Sequence, residues 1–289
     1  MLVTSKQMIL EAQRGGYAIG SFNTSDLEIT KAIVSAATRL KAPVMIETSE
    51  KAIGYAGLEE IAGIVKSAAK NARIPVALHL DHGTNLDLIN RCLEVGYTSI
   101  MFDGSKLSFE ENQILTRQAV EMAHRKNVPC EGELGSIMKA PKKSAFRQVY
   151  PIAIDKGFTD PNLVSEFVRN TGIDFLAISF GSQHGIGDNE ELDIDLLKEI
   201  NSKTSIPLVL HGASGVPESD VKKAIKNGIS KINIDTDIRH TFSKAIFEIP
   251  KKFPELSDPR DIMGKVMSEI QKVVEEKIKM FGSDGKASA

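Results

Sequence analysis

Two histidines and a carboxylate crowd into His79-Leu80-Asp81-His82-Gly83, directly after the apolar run Ile74-Pro75-Val76-Ala77-Leu78. Two later apolar runs end in the same way. One leads from Phe175 into Gly181-Ser-Gln-His184-Gly185, the other from Pro207 into His211-Gly212. Three imidazoles delivered at three strand ends suit a catalytic Zn2+, which often takes three protein ligands and keeps one position open. A histidine at a strand end can also serve as a hydrogen-bonding cap, and a lone one would be read that way first. Repetition of one context favours a shared ion. Asp81, beside His82, can give or take a proton at a substrate oxygen, or else orient the neighbouring ligand ring. Asp103 and Glu133 suit the orienting role better, as deeper acidic groups on neighbouring strands.

What must position these residues is a series of short strands separated by helices. Strand-like segments run over Tyr17–Asn23, Ala42–Ser49, Ile74–Gly83, Thr98–Gly104, Val128–Gly135, Asp174–Gly181, Pro207–His211 and Ser230–Thr236. Stretches of helical spacing, such as Leu27–Leu40, Leu58–Ala72 and Phe109–Lys126, fall between them. This alternation predicts parallel β/α units. Eight units, with no G-x-G-x-x-G after the first, favour a closed (β/α)8 TIM barrel over an open doubly wound sheet. Active sites of such barrels sit at the C-terminal ends of the strands. Asn23, Ser49, His82, Asp103, Glu133, His184, His211 and Asn233 all stand there. His211-Gly-Ala-Ser214-Gly215 adds small residues and a hydroxyl just before a helix, with Asp235-Thr236 next to it in a closed barrel. That corner predicts a phosphate site.

Composition narrows the classes. With 289 residues, 42% hydrophobic and 26% charged, the chain reads as one globular domain over 1–289, with a C-terminal helical extension from about 258. A net charge of −2 gives no basic face for nucleic acid. Cys92 and Cys130 form no metal-binding spacing and suit a reducing compartment. No apolar run approaches the length of a membrane span and no signal-like region opens the chain, so a cytoplasmic protein is expected.

The motifs His-Leu-Asp-His-Gly, Glu-Gly-Glu-Leu-Gly, Gly-Ser-Gln-His-Gly, Leu-His-Gly-Ala-Ser-Gly and Lys-Ile-Asn-Ile-Asp-Thr-Asp stand here in order, followed by Asp258-Pro-Arg260. As a set they resemble the class II, zinc-dependent ketose-bisphosphate aldolases, which include fructose- and tagatose-1,6-bisphosphate aldolases. The resemblance runs from about Val3 to the Phe281-Gly-Ser-Asp-Gly-Lys ending. It implies Zn2+ on His82, His184 and His211, with a monovalent cation as a second candidate, and a phosphorylated ketose cleaved to dihydroxyacetone phosphate and an aldehyde. By the same resemblance Asp81 handles the proton on the C4 oxygen and Asn233 contacts the enediolate. Gly185, Gly212, Ser214, Asp235 and Thr236 match the cradle of the ketone-side phosphate, and Asn23 and Ser49 match substrate contacts. Arg260 matches an arginine that reaches the distal phosphate from a neighbouring subunit, in a homodimer or homotetramer.

Two stretches depart from the pattern. The family's Gly-Gly-x-Glu-Asp loop after Glu-Leu-Gly is replaced by a longer run carrying Lys139, Lys142, Lys143 and Arg147, with no carboxylate before Asp155. The family's His-Gly-x-Tyr-Lys becomes His184-Gly-Ile-Gly-Asp188. Glu190 and Glu191 are the nearest acids that could replace the missing one. Other readings therefore stay open: an aldolase for a variant anionic ketose, a catalytically silent sugar-phosphate binder, or a zinc hydrolase on the same fold.

Overall fold

The computed structural model describes residues 1–137, 157–183, 185 and 191–287. His184, Lys139, Lys142, Lys143, Arg147, Asp188 and Glu190 lie outside the described residues. Eight strands are formed: β1 (Ile19–Asn23), β2 (Val44–Ser49), β3 (Val76–Gly83), β4 (Ser99–Phe102), β5 (Cys130–Leu134), β6 (Phe175–Ile178), β7 (Leu208–Leu210) and β8 (Ile229–Ile234). They pair in sequence order, all parallel, and β8 closes on β1, so the protein is a (β/α)8 barrel. Several of the helices start where short polar side chains satisfy free backbone N–H groups. Asp26 accepts from the Ile29 N–H, and Ser108 forms a capping box with Glu111.

Each strand is buried on both faces, which is why the strands read as unbroken apolar runs. The register separates the faces. Met45 pairs with Ala77, Ala177 with Val209, and Glu131 with Phe175. Ile19, Met45, Ala77, Met101, Phe175, Ala177 and Val209 pack with Met8, Ile9 and Ala12 of the helix Ser5–Gly15. That helix therefore plugs the N-terminal end of the lumen. The alternate residues, among them Phe22, Val44, Ile46, Leu78, Leu80 and Ile100, pack outward against the surrounding helices.

Above the apolar plug the lumen turns polar. Ser21, Glu47, His79, Ser99, Glu131 and Lys231 share the inward face and are fully or almost fully buried. Such a layer departs from the branched apolar filling usual for this fold. Two further elements lie outside the simple alternation. A helix over Glu50–Ala56 follows β2 directly, capped by the Ser49 hydroxyl, and a 3-10 turn covers Ala213–Gly215 after β7. Both are too short to show a periodic pattern in sequence. After β8 come two long helices, Thr236–Lys252 and Pro259–Phe281.

Candidate active site

Asp81 and His82 are consecutive, and regular strand geometry would send them to opposite faces. The β3–β4 register shifts between Leu80 and Gly83, and His82 takes a left-handed backbone with φ 48°. This irregularity turns the His82 ring back toward the lumen, the re-aiming that bulges perform beside active sites. A side chain on Gly83 would meet Leu80 and the Met101 carbonyl, at 2.7 and 2.8 Å. The tight fit leaves room for hydrogen alone.

The described residues bring His82, His211 and Asp81 together at the mouth of the barrel. His82 Nε2 and His211 Nδ1 face one another at 3.0 Å. Each ring is held through its other nitrogen: His82 Nδ1 bonds Asp103 at 2.8 Å, and His211 Nε2 bonds Glu131 at 2.8 Å. Asp81 Oδ1 lies 3.8 Å from His82 Nε2 and 3.9 Å from His211 Nδ1. Its two oxygens accept from the side-chain amides of Asn233, at 3.1 Å, and Asn23, at 3.0 Å. Asn233 also lies 3.3 Å from His211 Nδ1, and among the described residues its own buried Oδ1 has no hydrogen-bond partner. Glu133 stands 3.6 Å from His82 Nδ1.

The electrostatics of this cluster favour a cation. Burial opposes charge on His82, but Asp81, Asp103 and Glu133 outweigh it and raise the imidazole to about 10. Burial also works against the Asp81 anion, yet His82, His211 and Lys231 hold its carboxyl below the usual range. Burial, with Asp103 adding to it, lifts Glu133 to about 8. A divalent ion fits the donor set on geometry as well. Two ligand nitrogens at zinc's bond length stand about 3.3 Å apart in a tetrahedral site, close to the spacing here. Carboxylates behind both rings are the usual support of ligand histidines.

The other residues singled out from sequence are spread around this centre. Ser49 caps the helix Glu50–Ala56 by accepting from Ala52 at 3.3 Å. After β7, Gly212 has φ 67°, and a side chain there would strike the Gln183 carbonyl. The Ser214 hydroxyl accepts from the Asp237 N–H at 3.4 Å, which joins the turn after β7 to the helix after β8. Asp235, at the N-cap position of that helix, does not cap it with its own side chain and instead pairs with Arg239 at 2.7 Å. Thr236 opens the helix and is nearly buried. Gly185 has φ 119°. Arg260 is held by Asp258 at the start of the last helix, with its side chain 88% exposed. Glu47, His79, Glu131 and Lys231, buried beneath the centre, were given no role by the sequence reading.

A parallel barrel whose C-terminal mouth gathers two facing histidines and a held carboxylate can hold a divalent cation beside an acid–base group. The chain belongs to the class-II fructose-bisphosphate aldolase family, whose model matches residues 3–286. A fructose-bisphosphate aldolase of Geobacillus stearothermophilus is 40% identical over 291 residues, with 99% of each chain covered. One from Staphylococcus aureus is 38% identical over 290 residues, again with 99% of each chain covered. Among solved structures, the YdjI aldolase of Escherichia coli superposes with a TM-score of 0.87 at 34% identity, covering 100% of both chains. Membership makes this an aldolase-type lyase that uses a divalent metal and a phosphorylated ketose. Among the described residues, no helix is long and apolar enough to cross a membrane.

Proposed function

We propose that the protein cleaves fructose 1,6-bisphosphate, or a closely related ketose bisphosphate, reversibly to dihydroxyacetone phosphate and glyceraldehyde 3-phosphate. The observation that carries the reading is Asp81, an ionised carboxylate held by two amides within 4 Å of two facing imidazole nitrogens. Its position supports a role as acceptor of the C4 hydroxyl proton while the C3–C4 bond breaks, and as donor in the reverse direction. We take the metal to be Zn2+, held by His82, His211 and, on the sequence resemblance, His184. When bound, such an ion supplies Lewis-acid polarisation of the substrate carbonyl. Asn233, with an amide already aimed at this centre, donates to the oxygens on which negative charge develops. Asp103 and Glu133 orient the His82 ring.

The helix start at Thr236, which Asp235 does not cap with its own side chain, and the turn Gly212–Gly215 support binding of the ketone-side phosphate, since a helix N-terminus favours an anion. Ser214, Asp235 and Gly185 line that corner in this reading, and Asn23 and Ser49 border the sugar. The exposed Arg260 supports the idea that a neighbouring subunit's site is completed across an interface, in a homodimer or homotetramer. The two free, buried cysteines suit a cytoplasmic setting.

The test is triose phosphate release from a panel of ketose phosphates, with and without a chelator, for the wild type and Asp81→Ala. The variant is expected to keep its metal and lose at least about a hundredfold in rate, the scale for a positioned acid–base group. Turnover near that of the wild type would remove Asp81 from the mechanism. No triose release from any ketose phosphate would overturn the reading itself.

A further inference from the structure

The lumen beneath the imidazole centre holds a cation that the proposed reaction does not use. Lys231 lies on β8, one inward position below Asn233, and its side chain is fully buried. Its Nζ donates to Glu131 Oε2 at 2.9 Å and lies 3.4 Å from His79 Nε2 and 3.9 Å from Glu47 Oε2. Glu131 uses its other oxygen on His211 Nε2, at 2.8 Å. The chain of contacts Lys231–Glu131–His211 therefore ends on the nitrogen opposite the one that faces His82.

Among the described carboxyls Glu131 is the ammonium's nearest partner, at 2.9 Å against 3.9 Å for Glu47. Burial, reinforced by Asp81, raises the Glu47 carboxyl well above its ordinary range, and Glu47 accepts from the Ser21 hydroxyl at 2.5 Å. His79 does not compete for charge, because burial and Lys231 hold its pKa well below the ordinary value. Its Nδ1 is bonded to the Ser99 hydroxyl at 2.8 Å. Burial opposes charge on Lys231 itself, but Glu131, Glu47 and Asp81 outweigh it and the ammonium persists. A buried carboxylate that loses a cation at hydrogen-bond distance is left without that countercharge, and its orientation toward the neighbouring ring is no longer fixed.

We infer that Lys231 is a positioning residue for His211: it fixes Glu131 as acceptor of the His211 Nε2 proton and so directs Nδ1 to the metal. The inference rests on the reading of His211 as a metal ligand. Carboxylates behind a ligand histidine set its tautomer and ring orientation. Here that carboxylate is sealed from water, so its orientation depends on a countercharge supplied from within the barrel.

Co2+ titration of metal-free protein tests this, because affinity and the visible absorption band both report the coordination rather than turnover. Lys231→Met fills similar space without the charge, and is expected to weaken Co2+ binding about 10- to 100-fold and to change the band. The double variant Lys231→Met/Glu131→Gln offers His211 a neutral amide oxygen and is expected to recover most of that loss. Unchanged affinity in Lys231→Met, or a double variant no tighter than the single one, overturns the inference. Should Lys231→Met not fold, 15N shifts of His211 in the metal-free wild type decide the matter. A proton on Nε2 is expected, and the Nδ1-protonated tautomer overturns the inference. His211→Ala separates the two levels. If it binds Co2+ like the wild type, the ligand reading fails; if it loses Co2+ while Lys231→Met keeps it, only the role of Lys231 fails.

Discussion

At the scale of single residues, His82 decides how the site responds to pH. Asp81, Asp103 and Glu133 create a field that stabilises a positive charge at this ring, and in the metal-free protein a second proton meets that demand up to about pH 10. The proton and the metal then compete for the same nitrogen, so metal uptake releases a proton. Lowering the pH keeps the competitor on His82 and loosens the metal, whereas raising it toward the imidazole's pKa removes the competitor and tightens binding. Apparent affinity should rise about tenfold per pH unit across the neutral range for one displaced proton. Competition against a chelator of known pH dependence measures this, and a flat affinity would show that no proton is displaced. Asp103 takes the complementary part. Burial raises it, but its bond to His82 prevails, and it stays ionised below the usual carboxylate range.

At the scale of elements, the irregularity in β3 makes adjacent residues Asp81 and His82 serve one site. Gly83→Ala would place a methyl group 2.8 Å from the Met101 carbonyl of β4 and 2.7 Å from the Leu80 side chain. The strand cannot yield without moving the left-handed turn at His82. The variant should lose about 1–3 kcal/mol, typical of overpacking, and should bind metal less tightly. A melting curve with metal analysis checks both, and a variant with unchanged stability and full metal content would show that β3 relaxes harmlessly. Elements also determine what the sequence reveals. The strand ends carrying Asn23, His82, Glu133, His211 and Asn233 were legible because polar residues stood out at the close of apolar runs. The layer beneath was equally present in the sequence, one inward step earlier: Ser21 before Asn23, Glu47 before Ser49, His79 before Asp81, Glu131 before Glu133, Lys231 before Asn233. A period of two along the strands would have exposed it. It was missed because buried charge is costly and a strand-centre Lys or Glu is ordinarily taken to face outward. Only closure of the barrel shows that Lys231 and Glu131, a hundred positions apart, neutralise one another.

At the scale of the whole molecule, the C-terminal segment is tied to the chain on both flanks of the unit formed by β1 and the helix Leu27–Arg39. The Ala18 N–H donates to the Phe281 carbonyl at 3.0 Å, and the Gly285 and Ala287 N–H groups donate to Leu40 and Lys41. The last helix, Pro259–Phe281, lies along Leu27–Arg39 and buries Val266, Ile270, Val274, Ile278 and Phe281 at a spacing of four and three residues. Lys277 bonds Asp237 at 2.7 Å, which links this helix to the turn that carries Thr236. From sequence the segment reads as an extension appended to a finished barrel. The packing argues that the barrel needs it. Each of the five apolar side chains is worth about 1.5–3 kcal/mol when buried, so together they contribute about 7–15 kcal/mol. That equals the whole net stability of an ordinary domain. A chain ending at Leu256 would also expose the apolar face of Leu27–Arg39, with Ile33 and Ala37 now fully buried. Such a truncation is therefore expected to be unfolded or aggregated rather than a smaller active enzyme. Circular dichroism and a melting curve on the truncated chain decide this. A cooperative transition near that of the full chain would mean that the last helix is a true appendage, and that the barrel's stability resides in the eight units alone.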